Sequence, residues 1–242
     1  MEKDKIFQED PQKWGGFQFD EKVTRVFDDM LNRSIPQYQE LQQMIMDLVD
    51  IFYQKNSTIY DLGCSLGTLM GKIHLTFGDR ITRQVGIDNS PSMIEKADSL
   101  LSKTVPGAPI ELVCSDINDL ELNDASIVIM NYTLQFVRPI FREKLLKNIF
   151  SQLKPGGILI LSEKVLEDSQ EISHLFHDLY YRFKMRNGYT ATEIARKRAC
   201  LEHVLVPYKA SEHMQLLEET GFKSVQLFHK WFNFASFLAV KE

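Results

Sequence analysis

The pattern of apolar and polar positions changes near residue 58. Before it, apolar side chains recur every three to four residues, first over 23–31 and then over 38–52, with Ser34 and Pro36 between the two stretches. This spacing predicts two amphipathic helices within residues 20–54. After residue 58, short apolar runs alternate with helical stretches. Such alternation indicates a parallel sheet covered on both faces.

The second region predicts strands at 58–62, 84–87, 110–113, 125–130 and 158–162, with helices between them at 68–75, 91–101 and 139–153. Ser90-Pro91 supplies an N-cap and a first-turn proline for the middle helix, and Lys154-Pro155-Gly156-Gly157 predicts a helix stop and a turn. A mostly helical insertion occupies about 163–210. A helix at 212–220 and two strands at 224–229 and 234–240 follow, and these strands are close enough to pair antiparallel.

We therefore expect one α/β domain over residues 1–242, with a mostly parallel seven-stranded sheet that ends in an antiparallel pair. Residues 1–19, which include Trp14-Gly15-Gly16-Phe17, are predicted to form a loosely ordered arm.

Composition narrows the possible functions. The three cysteines, Cys64, Cys114 and Cys200, are far apart and lack metal-ligand spacing, which is typical of a reduced intracellular protein without a metal. A polar start and the lack of any run of about 20 apolar residues predict a cytoplasmic protein that does not enter a membrane. The net charge of −5 argues against direct nucleic-acid binding and favours small-molecule partners.

The loop Asp61-Leu62-Gly63-Cys64-Ser65-Leu66-Gly67 leads from the first strand into a helix. Its glycines permit a tight turn and close approach of a ligand to the backbone, and the helix N-terminus favours an anionic group. A plain tight turn or a dinucleotide-binding fold would produce the same pattern. The loop alone therefore does not identify a ligand.

Polar residues at the ends of the next strands indicate which ligand the loop binds. Asp88 can bind both hydroxyls of a ribose, Asp116 can accept from an adenine amino group, and the following N–H of Ile117 can donate to a ring nitrogen. Asn131 can contact an amino-acid portion. Considered singly, Asp88 could be an N-cap and Asp116 a loop residue. Together they lie where open α/β sheets bind ligands, which predicts an adenosyl ligand.

The order of these motifs resembles the class I S-adenosylmethionine-dependent methyltransferases. The usual Gly-x-Gly-x-Gly loop is present as Gly63-Cys64-Ser65-Leu66-Gly67, with Ser65 at the middle glycine position. Asp88 corresponds to the acid after the loop, and Leu153-Lys154-Pro155-Gly156-Gly157 precedes the fifth strand as in that class. The resemblance implies a Rossmann-like class I methyltransferase fold that binds S-adenosylmethionine.

A more specific resemblance covers nearly the whole chain. The bacterial carboxy-S-adenosylmethionine synthases are similar in Asp61–Gly67, Ile87–Pro91, Asn131-Tyr132-Thr133-Leu134-Gln135-Phe136, Leu161-Ser162-Glu163-Lys164, Asn187-Gly188-Tyr189 and Lys197-Arg198. The resemblance implies a homodimeric enzyme that converts S-adenosylmethionine and prephenate to carboxy-S-adenosylmethionine and phenylpyruvate. A separate enzyme then uses the product to carboxymethylate a wobble uridine of tRNA.

Carried over to this sequence, the resemblance implies ten ligand contacts: Tyr38, Gly63, Cys64, Ser65, Asp88, Asn89, Asp116, Ile117, Asn131 and Arg198. Arg198 would be the catalytic residue, because its planar guanidinium matches a carboxylate in two parallel bonds. Without the resemblance, Arg198 would be a solvated helix-face charge, and Tyr38 a core residue. The sequence leaves open whether Arg198 serves its own subunit or a neighbour's, and which residues bind prephenate.

Three other functions share parts of this pattern. An ordinary small-molecule methyltransferase would have the same loop and acids. A non-catalytic protein could pass an adenosyl ligand to a tRNA-modifying partner, and a tRNA methyltransferase is disfavoured by the acidic charge. The aromatic side chains of the insertion could exclude water from the site or simply pack its helices: Phe176, Tyr180, Tyr181 and Phe183.

Overall fold

The computed structural model describes residues 3–8, 19–202 and 204–242, so the predicted Trp14–Phe17 segment lies outside the described residues. In chain order the helices and strands are α1 Glu21–Ser34, α2 Tyr38–Phe52, β1 Thr58–Leu62, α3 Thr68–Phe77, β2 Gln84–Asp88, α4 Pro91–Thr104, β3 Ile110–Cys114, β4 Ala125–Asn131, α5 Pro139–Gln152, β5 Leu153–Leu166, α6 Gln170–Arg186, α7 Ala191–Leu201, β6 Tyr208–Lys209, α8 Ala210–Glu219, β7 Ser224–Trp231 and β8 Phe234–Val240.

The strands form one sheet in the order β3-β2-β1-β4-β5-β8-β7. Strands β1 to β5 pair in parallel, whereas β8 pairs antiparallel with both β5 and β7. This topology confirms the predicted fold. The sequence did not predict β6, a two-residue strand that pairs in parallel with the end of β5.

Both faces of the sheet are covered, as the apolar strands predict. On β4, Val128 belongs to the core shared with α5 and α8, whereas Ile127 and Ile129 belong to the core shared with α2 and α3. Successive side chains of a strand point to opposite faces, so an unbroken apolar run suits a strand buried on both sides. Helix α2 therefore covers one side of the sheet together with α3, whereas α1 packs against the glycine loop and α4.

Strand β5 is longer than predicted at both ends. It begins at Leu153, and residues 154–157 form an irregularity in it, because Ala125 pairs with Leu153 whereas Ile127 pairs with Ile158. Gly156, with φ +73°, donates its N–H to the carbonyl of Lys241 at 2.6 Å. Lys241 directly follows β8, which pairs with β5, so this hydrogen bond extends the pairing of the two strands. The residues of the predicted turn therefore belong to strand β5. The strand also continues to Leu166, inside the predicted insertion.

Candidate active site

A cavity of about 600 Å³ lies at the carboxyl ends of β1 to β5, bordered by α1, α2, α6 and α7. Nine of the ten predicted ligand contacts line it: Tyr38, Gly63, Cys64, Ser65, Asp88, Asn89, Asp116, Ile117 and Asn131. Arg198 does not line this cavity. Its side chain is exposed on α7 and forms no ion pair with any described residue.

The glycine loop is fixed to strand β2 by its own backbone. The N–H groups of Gly63 and Cys64 both donate to the carbonyl of Ile87, at 2.7 and 3.0 Å. The N–H of Ser65 donates to Asp88 at 3.0 Å. Gly63 has φ +82°, and Ser65 has φ +47°, a region that favours glycine. Ser65 thus has a left-handed backbone conformation at the position of the middle glycine in the Gly-x-Gly-x-Gly pattern.

The structure separates the two interpretations of Asp88. Ser90 is the N-cap of α4, because its hydroxyl accepts the N–H of Met93 at 3.2 Å. Asp88 instead accepts the N–H groups of Ser65 and Ser90, one on each carboxylate oxygen. These bonds orient its carboxylate into the cavity, where it can accept a pair of hydroxyls. Burial raises the pKa of Asp88 even though both hydrogen bonds favour its charged form.

Asp116 follows β3, the strand next to β2, and lines the cavity beside Asp88. Its Oδ1 accepts the backbone N–H of Asn118 at 2.9 Å and the Nδ2 of the same residue at 2.7 Å. Asp116 therefore caps the short helical turn at Ile117–Asp119. This is a structural role of the kind expected for a loop aspartate. Because Asp116 also lines the cavity, its second oxygen can accept from an amino group.

A buried carboxyl group occupies the centre of the site. Asp61, at the end of β1, is 5% exposed, and no described cation pairs with it. Burial, with a smaller contribution from the charge of Asp88, raises the pKa of Asp61 to about 7. Tyr38 lines the same cavity, and burial raises its pKa as well, with Asp61 contributing. A ligand ammonium group would supply the missing positive charge.

Asn131, at the end of β4, has an unused hydrogen-bonding atom. Its Oδ1 is buried and has no partner among the described residues. Buried polar atoms are normally paired, so this acceptor suits a ligand donor. The next residue, Tyr132, has φ +62°, a strained backbone conformation for an aromatic residue that turns the chain sharply over the cavity.

Glu163 stabilises the turn after β4 through hydrogen bonds. Its carboxylate accepts the N–H groups of Leu134 at 2.8 Å and Gln135 at 2.9 Å. Burial raises the pKa of Glu163 to about 8, an effect that the nearby Arg142 and the backbone donors partly oppose. Glu163 thus positions the segment that carries Asn131.

The side of the cavity near α6 and α7 is cationic and aromatic. Lys164, Lys197, Tyr180 and Phe234 line it. Of the predicted water-excluding aromatics, Phe176 packs on Phe232 and Phe183 on Trp231, so these two serve helix packing. Tyr181 is not among the lining residues, and only Tyr180 of the four reaches the cavity.

Two further polar residues of the cavity lie near strand ends, and the sequence pattern alone assigns no role to either. Asp61 is near the end of β1, and Lys164 is near the end of β5 just as Asn131 ends β4. Extending the search for polar strand ends to the fifth strand would have found Lys164. Within the described residues, no group of three or more His, Cys, Asp or Glu side chains is placed to hold a metal ion.

The sheet order, the strand–loop–helix and the acids at successive strand ends together define the class I methyltransferase fold that binds S-adenosylmethionine. A family profile described as a methyltransferase domain matches residues 59–157. Two solved structures share the fold at low identity. Human N-acetylserotonin methyltransferase has a TM-score of 0.62 and 16% identity, covering 91% of this chain and 55% of that chain. Magnesium protoporphyrin IX methyltransferase from Synechocystis has a TM-score of 0.62 and 14% identity, covering 96% and 92%.

Relatives of higher identity define the family. Carboxy-S-adenosyl-L-methionine synthase from Methylococcus capsulatus is 43% identical over 242 residues, which is 100% of both chains. The protein of the same name from Shewanella loihica is 42% identical over 238 residues, or 98% of both chains. The chain belongs to the family of carboxy-S-adenosyl-L-methionine synthases, and the resemblance found in its sequence is confirmed. None of the helices in the described residues has both the length and the apolar character needed to cross a bilayer.

Proposed function

We propose that this enzyme converts S-adenosylmethionine and prephenate to carboxy-S-adenosylmethionine and phenylpyruvate. The observation that carries the proposal is the similarity over the full chain to relatives named for this synthase. The cavity alone does not separate this activity from ordinary methyl transfer, since both need the same adenosyl ligand. No metal is required in this proposal.

The atoms balance without a further reactant. Prephenate loses its ring carboxylate as carbon dioxide and its ring hydroxyl as hydroxide, and the ring becomes aromatic. The methyl carbon of S-adenosylmethionine gives up one proton and bonds to the carbon dioxide. The proton and the hydroxide form water. The products are carboxy-S-adenosylmethionine, phenylpyruvate and water.

In this proposal the chain's residues bind, orient and exclude water. Asp88 accepts the ribose hydroxyls, Asp116 and the N–H of Ile117 bind the adenine, and Asp61 with Asn131 binds the ammonium group. Their positions along one edge of the sheet, from β3 to β4, support this order. Tyr38, Gly63, Cys64, Ser65 and Asn89 complete the proposed contacts.

Arg198 is proposed to bind the new carboxylate. Its exposed position allows it to serve its own cavity after movement of α7 or the cavity of a neighbouring subunit in the proposed homodimer. Mixing the Arg198→Ala variant with an Asp88→Ala variant separates these cases. Activity that returns on mixing requires contribution across subunits, because each variant then supplies the group that the other lacks.

Mass spectrometry of the reaction products tests the function. The purified protein is incubated with S-adenosylmethionine, with and without prephenate. We expect carboxy-S-adenosylmethionine and phenylpyruvate only when prephenate is present. S-adenosylhomocysteine as the product, independent of prephenate, would identify an ordinary methyltransferase. A bound ligand without any turnover would identify a binding protein.

We further propose that the enzyme acts in the cytoplasm and that its product supplies a separate enzyme that carboxymethylates a tRNA wobble uridine. The net charge of −5 supports a division of labour in which this chain does not itself bind tRNA. Loss of the carboxymethylated nucleoside from the tRNA of a deletion strain would test this link.

A further inference from the structure

Three lysines, of which Lys184 and Lys197 are buried and Lys164 is half-buried, lie beside the adenosyl cavity, at the edge opposite its acids. Lys164 lies on β5, Lys184 on α6 and Lys197 on α7, and the last two are each 9% exposed. A buried ammonium group is costly unless a counter-charge compensates it. The residues around each lysine therefore show which group, if any, compensates its positive charge.

Lys197 has compensation within the protein. Its Nζ donates to the hydroxyl of Ser34 at 2.9 Å, and Asp4 and Asp29 act on it as nearby negative charges. Lys184 is 4.3 Å from the centroid of the Tyr180 ring, a cation–π contact, and it does not line the cavity. These two lysines thus have protein partners.

Lys164 differs from Lys184 because it lines the cavity, and from Lys197 because it has no acidic partner. Its Nζ is 5.3 Å from the Tyr180 ring centroid, and no described residue forms an ion pair or a side-chain hydrogen bond with that atom. Burial, together with the charge of Arg198, lowers the pKa of Lys164. Its neighbour Glu163 gives no compensation, since that carboxylate binds two backbone N–H groups of the turn after β4.

The position of Lys164 in the sheet separates it from the adenosyl contacts. Those contacts occupy the ends of β3, β2, β1 and β4, and β5 is the next strand. Asn131 pairs with Ser162, and Lys164 lies two residues further along β5 on the same face. Strand spacing and rise place the two Cα atoms about 8 Å apart. A group bound at Lys164 therefore lies beyond the amino-acid end of the adenosyl ligand.

We propose that Lys164 is a substrate-binding residue that takes a carboxylate of the second substrate. This inference rests on the proposed function, in which that substrate is a dicarboxylate. Arg198 adds positive charge near Lys164. Lys184 adds part of a charge near neutral pH, because burial and the neighbouring cations lower its pKa to about 7. Both favour a doubly charged ligand. The adenosyl ligand carries a carboxylate of its own, so the experiment must separate the two sources of this group.

The decisive variant is Lys164→Met, which keeps the unbranched, flexible side chain except for its terminal atom and removes its charge. Lys164→Arg restores the charge, and Lys154→Met is a matched control on the same strand, where the lysine is 36% exposed and faces Asp124. For each variant we would measure the KM for prephenate, the Kd for S-adenosylhomocysteine by calorimetry, and the thermal unfolding temperature. Calorimetric binding of prephenate to the S-adenosylhomocysteine complex measures the same contact without turnover.

We expect Lys164→Met to raise the KM and the Kd for prephenate about 10- to 100-fold, the range for a lost hydrogen bond to a charged group. The Kd for S-adenosylhomocysteine should change less than about 3-fold, and Lys164→Arg should restore most of the prephenate affinity. The unfolding temperature should not fall, because the removed charge is half-buried and has no acidic partner in the protein. Lys154→Met should match the wild type.

Three results would overturn the inference. The first is an unchanged prephenate affinity in a folded Lys164→Met variant. The second is a loss confined to S-adenosylhomocysteine binding, which would assign Lys164 to the adenosyl ligand. The third is a fall in unfolding temperature that Lys164→Arg does not reverse. Failure of the proposed function is distinguishable, because there the wild type itself would neither bind prephenate nor form carboxylated product.

Discussion

Replacing Gly63 by alanine should disrupt the glycine loop for two reasons that the structure separates. The backbone has φ +82°, and a Cβ at this position would lie 2.4 Å from the Oγ1 and 2.7 Å from the Cγ2 of Thr133. Gly107 has a similar φ of +77° but no heavy atom within 4 Å of the corresponding Cβ. Gly107→Ala therefore measures the backbone effect alone.

The two contributions have different sizes. A left-handed conformation costs an alanine about 1–2 kcal/mol, which sets the expected loss of stability for Gly107→Ala. The overlap with Thr133 adds a further 1–3 kcal/mol or so, the usual range for overpacking. We therefore expect Gly63→Ala to lower the free energy of unfolding by about 2–5 kcal/mol and to weaken S-adenosylhomocysteine binding, since the displaced turn carries Asn131.

Urea unfolding and calorimetric titration would measure both effects, and a double-mutant cycle with Thr133→Ala would identify the contact. Thr133→Ala removes the two closest atoms and leaves only the Cβ at 3.1 Å. The double variant should recover about 1–2 kcal/mol relative to additivity. Equal losses of stability in Gly63→Ala and Gly107→Ala, or an additive cycle, would show that the contact with Thr133 has no effect.

Three further predictions concern charged groups of the site. Because the pKa of Asp61 is about 7 in the fold against 3.8 as its ordinary value, its contribution to stability is greatest below about pH 4 and is lost as the pH rises towards 7. Binding of a ligand ammonium should oppose that loss and release protons, and calorimetry near neutral pH in buffers of different ionisation enthalpy would detect them. Glu163→Ala should lower stability by about 2–5 kcal/mol in urea unfolding, because two buried N–H groups lose their acceptor, and Glu163→Gln should lose less. Arg198→Ala should abolish carboxylated product, measured by mass spectrometry, while S-adenosylhomocysteine binding stays within about 3-fold of the wild type; normal turnover would exclude its proposed role.

The sequence predicted the sheet well because local periodicity determines it. The start of β5 was missed because it depends on a hydrogen bond between Gly156 and Lys241, 85 positions away in the sequence. The strand-end residues were placed together correctly because parallel strands share one carboxyl edge, a property of topology rather than of side-chain detail.

The sequence could not predict which residue of the charged run on α7 faces the cavity. Lys197 and Arg198 are adjacent, and a helix turns about 100° per residue, so only one of them can face the cavity. The run alone does not say which. In the fold, Lys197 faces inward, where its Nζ contacts Ser34 and lies 5.5 Å from the ring centroid of Tyr189. Arg198 is consequently left on the exposed side.

The adjacent residues Glu163 and Lys164 point to opposite faces of strand β5 and have different roles. The pleat directs Glu163 towards the turn after β4 and Lys164 into the cavity, because neighbouring side chains on a strand point in opposite directions. A slip of one residue in the pairing of β5 would exchange these charges and place a carboxylate where the proposed dicarboxylate substrate binds. The register is fixed beyond the irregularity at 154–157 by seven successive pairs with β8, from Ile158 to Lys164. The antiparallel end of the sheet therefore determines which charge faces the cavity from β5, although β7 and β8 contribute little to the adenosyl site itself.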